Sequence, residues 1–355
     1  MARFGNHNRL AIPRSASKMV HLTFEEQMES QKTVPPLITG DFTGKTIMVT
    51  GGNSGIGFET AKHLATMNPA RLIIVCRSME KAQESISQIE SETGFKNAEP
   101  MALDLGDFST ISEFATQANK TLDRLDVLIE NAAVGFNTDG YTVTKDDWEM
   151  QLQVNALGPA LHTLLLLPII LKTAKQHSTF PRIIMVSSGV IYSTKISSEV
   201  IASPNIIKTL SGKEALTQGR YAETKLLNVM LVDKLTALLP QSVVPLAVNP
   251  GFSVSGLSRG AKGERAEEFK KMVVDYHAYT SEQGSRHVVY ASHGGKNEEV
   301  RGAFVSFKLE VQELPDWMLT EEGKTSRDKI WNEMLEVFGI VDARIPTIVA
   351  EHLKN

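Results

Sequence analysis

A single cysteine, Cys76, stands among the 355 residues, so no internal disulfide framework can staple the fold. One thiol fits a reducing compartment, and a cytoplasmic protein is the expectation. A basic surplus is missing too: 37 Lys and Arg face 41 Asp and Glu, for a net charge of −4. Nucleic-acid binders usually carry such a surplus or a basic patch, so no nucleic-acid partner is expected. Long apolar runs are also lacking. The best, Leu164–Leu171 (LLLLPIIL), is far shorter than the roughly 18 residues a bilayer demands. No integral membrane segment is expected, and the run reads as a buried helix or a helix–helix contact. The opening residues hold no acid: Arg3, Arg9, Arg14 and Lys18 precede the first carboxylate, Glu25. Such a start can be a mitochondrial leader, but Pro13 and the scarcity of large apolar side chains argue against an amphipathic helix. Residues 1–40 therefore read as a partly disordered tail. Its first 18 residues are expected to be dispensable, and Met19 could be an alternative start.

What is present is an ordinary globular composition, 42% hydrophobic and 22% charged, with length for a large core. From Thr46 onward, short β-branched runs alternate with helical periodicity. Strands are predicted at 46–50, 71–76, 99–103, 126–130, 182–186, 245–248 and 302–307. Helices are predicted at 56–67, 79–91, 108–122, 146–175, 220–239 and 281–291. Several strands are continuously apolar, as when both faces of a parallel sheet are covered. The alternation predicts an α/β fold, a single Rossmann-like doubly wound parallel sheet flanked by helices, over residues 41–345. Residues 346–355 read as a C-terminal tail. Residues 189–219 and 252–280 follow strands and read as irregular loops. Ligands bind at the carboxyl ends of strands in such sheets, which makes these candidate substrate loops.

The first strand runs into Thr50-Gly51-Gly52-Asn53-Ser54-Gly55-Ile56-Gly57, and a helix follows. Gly51 can make a tight turn, while Gly55 and Gly57 let the backbone approach a pyrophosphate at the positive end of the helix. The segment resembles the TGxxxGxG signature of the short-chain dehydrogenase/reductase family. The resemblance implies cofactor contacts at Gly51, Asn53, Ser54, Gly55, Ile56 and Gly57. Further family positions follow in order. Asp104 and Leu105, after the third strand, match the adenine-contacting pair. Asn131-Ala132 matches the second half of the NNAG signature, whereas Glu130 and Ala133 stand where Asn and Gly are usual.

Tyr221-Ala-Glu-Thr-Lys225 has YxxxK spacing, which puts phenol and ammonium on one helix face. A nearby cation and the oxidised nicotinamide would stabilise the phenolate and draw the phenol's pKa down from about 10 toward the working pH. Tyr141 and Lys145 share the same spacing, but they precede the fifth strand; Tyr141 reads as a surface or substrate-loop residue. The family order implies Tyr221 as proton donor or acceptor, and Lys225 as its partner on the nicotinamide ribose. It further implies Ser188, second of the pair Ser187-Ser188, on the substrate oxygen. The separation of Ser188 from Tyr221 exceeds the family's usual one and implies an insertion. Asn155 matches the asparagine that bends its helix and holds a proton-relaying water. Pro250, Gly251 and Ser255 match the turn beside the nicotinamide.

The second strand ends in Cys76-Arg77-Ser78. An acid there would bind both ribose hydroxyls of NAD, whereas Arg77 can meet a 2′-phosphate, so NADP(H) is the expected cofactor. The resemblance is greatest to the retinol-dehydrogenase-like and protochlorophyllide-reductase-like branch, especially fungal members. It implies reduction of a bulky, fairly apolar ketone or aldehyde, or the reverse, on a small-molecule substrate. A homodimer through the helices at 146–175 and 220–239 is one expectation for the family, and a monomer the other. Two further readings keep the fold: reduction of a C=C or C=N bond, and an NADP-binding sensor or scaffold without turnover.

Overall fold

The computed structural model describes residues 23–135, 140–258 and 260–353, so the basic stretch 1–18 and Met19 lie outside it. Eight strands form one sheet: β1 (Thr46–Thr50), β2 (Arg71–Cys76), β3 (Ala98–Ala102), β4 (Val127–Glu130), β5 (Arg182–Val186), β6 (Val244–Val248), β7 (Phe304–Ser306) and β8 (Glu310–Gln312). Their order is β3-β2-β1-β4-β5-β6-β7-β8. The first seven are parallel, and β8 returns antiparallel on β7. β8 went unpredicted because three residues are too short to show a period.

Successive side chains of a strand point to opposite faces. Met48 and Leu128 join one apolar cluster, Ile47, Val49 and Ile129 the other. The first cluster is completed by helices Phe108–Thr121, Met150–His177 and Arg220–Leu238, the second by Gly55–Ala65 and Ser281–His293. Both faces are thus covered, which is why these strands lack polar alternation. The chain leaves β1 toward one edge and resumes on its other side at β4. That reversal opens a crevice at the strands' carboxyl ends.

Four expectations need correction. The presumed N-terminal tail carries a helix, Phe24–Gln31, started by a capping box between Thr23 and Glu26. The presumed C-terminal tail carries another, Ile345–His352, whose Ile345 and Ile348 are buried against the helix Met150–His177. The 189–219 segment is not irregular, since it holds the short helices Ser198–Ile201 and Ile206–Ser211. The later loop holds Glu264–Asp275. The apolar run Leu164–Leu171 lies, as read, in a buried helix, Met150–His177, although by length and composition alone that helix could cross a membrane. Inside the protein 83% of that apolar window is buried.

The C-terminal helix Glu321–Val341 also went unread. Glu333 accepts from Ile207 N at 2.9 Å, and Lys329 donates to Ser203 O at 2.6 Å, so this helix grips the insertion. It also reaches the helix Arg220–Leu238 through ion pairs of Lys234 with Asp328 and of Asp233 with Arg327.

Candidate active site

A cavity of about 710 Å³ occupies the crevice. One end is the glycine turn. Gly51 takes φ +66° and Gly55 φ +58°, both left-handed, where a side chain is strained. Gly57 has no room for a side chain: a Cβ there would lie 2.3 Å from Gly51 O and 2.4 Å from Asn131 Nδ2. Asn131 Nδ2 donates to Thr50 O at 2.9 Å, tying β4 to the turn. No side chain caps the helix Gly55–Ala65, so its first amides are left to a ligand. Asn53, Ser54, Gly55, Ile56, Asp104, Leu105 and Asn131 all line this end, as expected. Asp104 Oδ1 also accepts from Gly106 N at 2.9 Å, which fixes the turn after β3.

At the corner beyond β2, Cys76 is buried and its thiol donates to Ser78 O. Burial pushes that thiol above its ordinary pKa. Arg77 is exposed and lines the cavity. The structure adds Lys81, which lies on the first turn of the helix Met79–Thr93 and lines the same corner. Among the described residues no carboxylate pairs with either cation. The signal for Lys81 was readable: it stands four residues after Arg77 at a helix start.

The other end holds Tyr221 and Lys225, both on the cavity wall. Lys225 Nζ lies 5.7 Å from the Tyr221 ring centroid and donates to Val186 O at 2.7 Å. Burial lowers the lysine to about 7. Burial also drives the Tyr221 phenol above its ordinary value.

Three expected residues lie off the cavity lining. Asn155 lies behind the wall, in a π turn over Gln153–Leu157 that interrupts the helix. Its side chain clamps Val134, accepting from N and donating to O at 2.8 Å each, and so fixes the strand-end segment over the cavity. Gly251 (φ +74°) faces Tyr279 and Gln31 instead of the cavity. Ser187, not Ser188, lines the cavity, but its hydroxyl donates to Lys225 O at 2.9 Å. Ser188 is half-buried at the start of the turn Gly189–Ser193, and its Oγ accepts from Val190 N. Pro250 and Ser255 line the wall, with Leu257 added.

Of the rival pair, Lys145 lines the cavity and Tyr141 does not. Tyr141 donates to Ser211 O at 2.9 Å, and Lys145 pairs with Asp107. Two buried charged groups were also missed. Glu130, at the family's asparagine position, bonds His162 at 2.6 Å and Thr50 at 3.1 Å. Arg220, 1% exposed beside Tyr221, bonds Glu223 and the carbonyls of Leu210 and Ala215, fastening the insertion to the tyrosine helix.

A family model for short chain dehydrogenase matches residues 45–197. A short-chain dehydrogenase of Penicillium roqueforti, anuD, is 30% identical over 315 residues, covering 85% of this chain and 80% of its own. The chain belongs to the short-chain dehydrogenase/reductase family. It is an oxidoreductase. Another member of the family, dmxR8 of Cryptosporiopsis sp., is 29% identical over 313 residues, covering 85% of this chain and 92% of its own. The same fold is found in the NADPH-bound carbonyl reductase from chicken fatty liver. There the TM-score is 0.54 at 20% identity, over 80% of this chain and 97% of that one.

Proposed function

We propose that this short-chain dehydrogenase/reductase reduces the carbonyl of a bulky, apolar ketone or aldehyde with NADPH. One observation carries the reading: a single cavity has Arg77 and Lys81 at one end and Tyr221 with Lys225 at the other. The uncapped helix start and the glycine turn suit a pyrophosphate between them, and the two cations suit a 2′-phosphate. The chicken relative, described as an NADPH-bound carbonyl reductase, supports the same choice.

When bound, NADPH supplies the hydride. Tyr221 supplies the proton to the carbonyl oxygen, and its raised pKa keeps the phenol protonated at neutral pH, the form that reduction needs. Ser188 lies just off the cavity wall with its Oγ accepting from Val190 N, and would turn its hydroxyl proton to the same oxygen when the substrate binds. Lys225 holds the tyrosine's end of the cavity and meets the ribose hydroxyls. Asn155 keeps Val134 and its neighbours in place. A Cβ on Gly135 would lie 3.1 Å from Leu257 and 3.3 Å from the Tyr221 ring, so the substrate side presents apolar surface.

The test is a panel of ketones, aldehydes and enones followed by loss of NADPH absorbance. Turnover of bulky ketones or aldehydes, better with NADPH than with NADH, is expected. NADPH binding without turnover of any carbonyl would contradict the reading.

A further inference from the structure

We propose that the helix Phe24–Gln31 is a working part of the active site, with Gln31 as its positioning residue; this rests on the carbonyl-reductase reading above. Gln31 is 1% exposed. Its Nε2 donates to Phe252 O at 2.8 Å, and Phe252 N donates to its Oε1 at 3.1 Å. The amide thus pairs with the backbone of Phe252 as a neighbouring strand would. Phe252 follows Pro250 and Gly251 and leads to Ser255 and Leu257, so the residues on either side of it line the cavity beside Tyr221. The contact is exclusive of bulk, since a Cβ on Gly251 would lie 2.9 Å from Gln31 Oε1.

The same helix reaches the second turn. A Cβ on Gly189 would sit 3.4 Å from Gln27 Oε1, and Gly189 follows Ser188. The chain leaving the helix is held as well. Tyr279, 3% exposed, donates to Thr33 O at 2.7 Å, and Arg286 donates to Pro35 O at 2.9 Å. One N-terminal element therefore ties the turn carrying Pro250 and packs close to the turn after Ser188. Removing the amide leaves the N–H of Phe252 without its partner, while Phe252 O keeps its bond from Tyr279 N, and loosens that turn. A shift of about 1 Å in such a wall can lower turnover by up to roughly 10²-fold.

The test uses the full chain with Gln31→Met, which keeps length and loses both hydrogen bonds, and Gln31→Glu. For Gln31→Met we expect kcat lower by about 10-fold and a higher KM for the carbonyl, with NADPH affinity within about 2-fold, because the phosphate corner lies at the far end. A neutral carboxylic acid donates and accepts as the amide does, whereas the carboxylate only accepts. Relative to wild type, Gln31→Glu should therefore recover activity as pH falls from about 8 to about 5.5. Gln31→Met with wild-type kcat and KM would overturn the proposal, as would Gln31→Glu tracking wild type at every pH. Should wild type itself turn over no carbonyl with NADPH, both this proposal and the functional reading would fall. An active wild type with an unaltered Gln31→Met removes this proposal alone.

Discussion

The two ends of the cavity are built on different plans. The phosphate end is made of turns that directly follow β1, β2, β3 and β4, so each residue's place is fixed by the strand before it. At the tyrosine end the walls are fastened by remote segments. Gln31 holds Phe252 from 221 positions away, and Glu333 holds Ile207 from 126 away. Local chemistry can be read from a local motif, and remote fastening cannot. The first end should therefore tolerate change outside its turns, whereas the second should respond to substitutions far along the chain.

The largest effect that would sharpen this contrast is at Tyr221. Tyr221→Phe should lower kcat by at least about 10²-fold, a usual acid–base contribution, with NADPH affinity little changed. Tyr141→Phe, which loses only a bond to Ser211 O, should leave kcat within a few-fold. Equal losses in both would break the assignment. Next comes the phosphate corner. A charge-assisted bond contributes roughly 1.5–3 kcal/mol, so Arg77→Ala should weaken NADPH by roughly 10–150-fold while sparing NADH. Lys81→Ala, a single exposed cation, should weaken NADPH by only about 2–5-fold. Titrations of both cofactors check this, and equal weakening of NADH would contradict it.

A smaller effect is expected in stability. Lys225 keeps its proton to 10.5 ordinarily but only to about 7 in the fold. Between those values the unfolded chain binds more protons, so stability rises with pH across that window. Below it the full cost of burying the ammonium is present. Ligand-free Lys225→Met should thus melt several °C above wild type near about pH 6, with the gain shrinking by about pH 10. A constant difference across pH would show that the ammonium is not the cause. The smallest response is in assembly. Helices Met150–His177 and Arg220–Leu238 are largely buried within one chain, under Glu321–Val341 and Ile345–His352. We expect a monomer whose mass by light scattering does not change with concentration.

Legibility follows the same division. β1, β2 and β5 fall where the apolar runs placed them, because doubly covered strands need only a continuous apolar stretch. The glycine turn was readable, since φ beyond +50° at Gly51 and Gly55 leaves little alternative to glycine. The helix Phe24–Gln31 announced itself only through Thr23 and Glu26, a weak signal in a segment otherwise poor in apolar residues. The helix Ile345–His352 has an apolar stripe too short to separate from a tail. Ser187 and Ser188 could be ordered by family resemblance, but that the first serves Lys225 O is a tertiary fact. That Lys225 Nζ donates to Val186 O is a tertiary fact as well, which the YxxxK spacing does not show.

Most direct for the central claim is to follow the transferred hydrogen itself. NADPH carrying deuterium at both hydrogens of the nicotinamide C4 is incubated with the protein and a ketone that the panel finds to be turned over. An enone of similar bulk serves as a parallel substrate. Mass spectrometry and NMR then locate the label. The account predicts deuterium on the carbinol carbon of both products, with the new hydroxyl proton drawn from solvent through Tyr221. Deuterium on a former alkene carbon, or an alcohol without label, would contradict it.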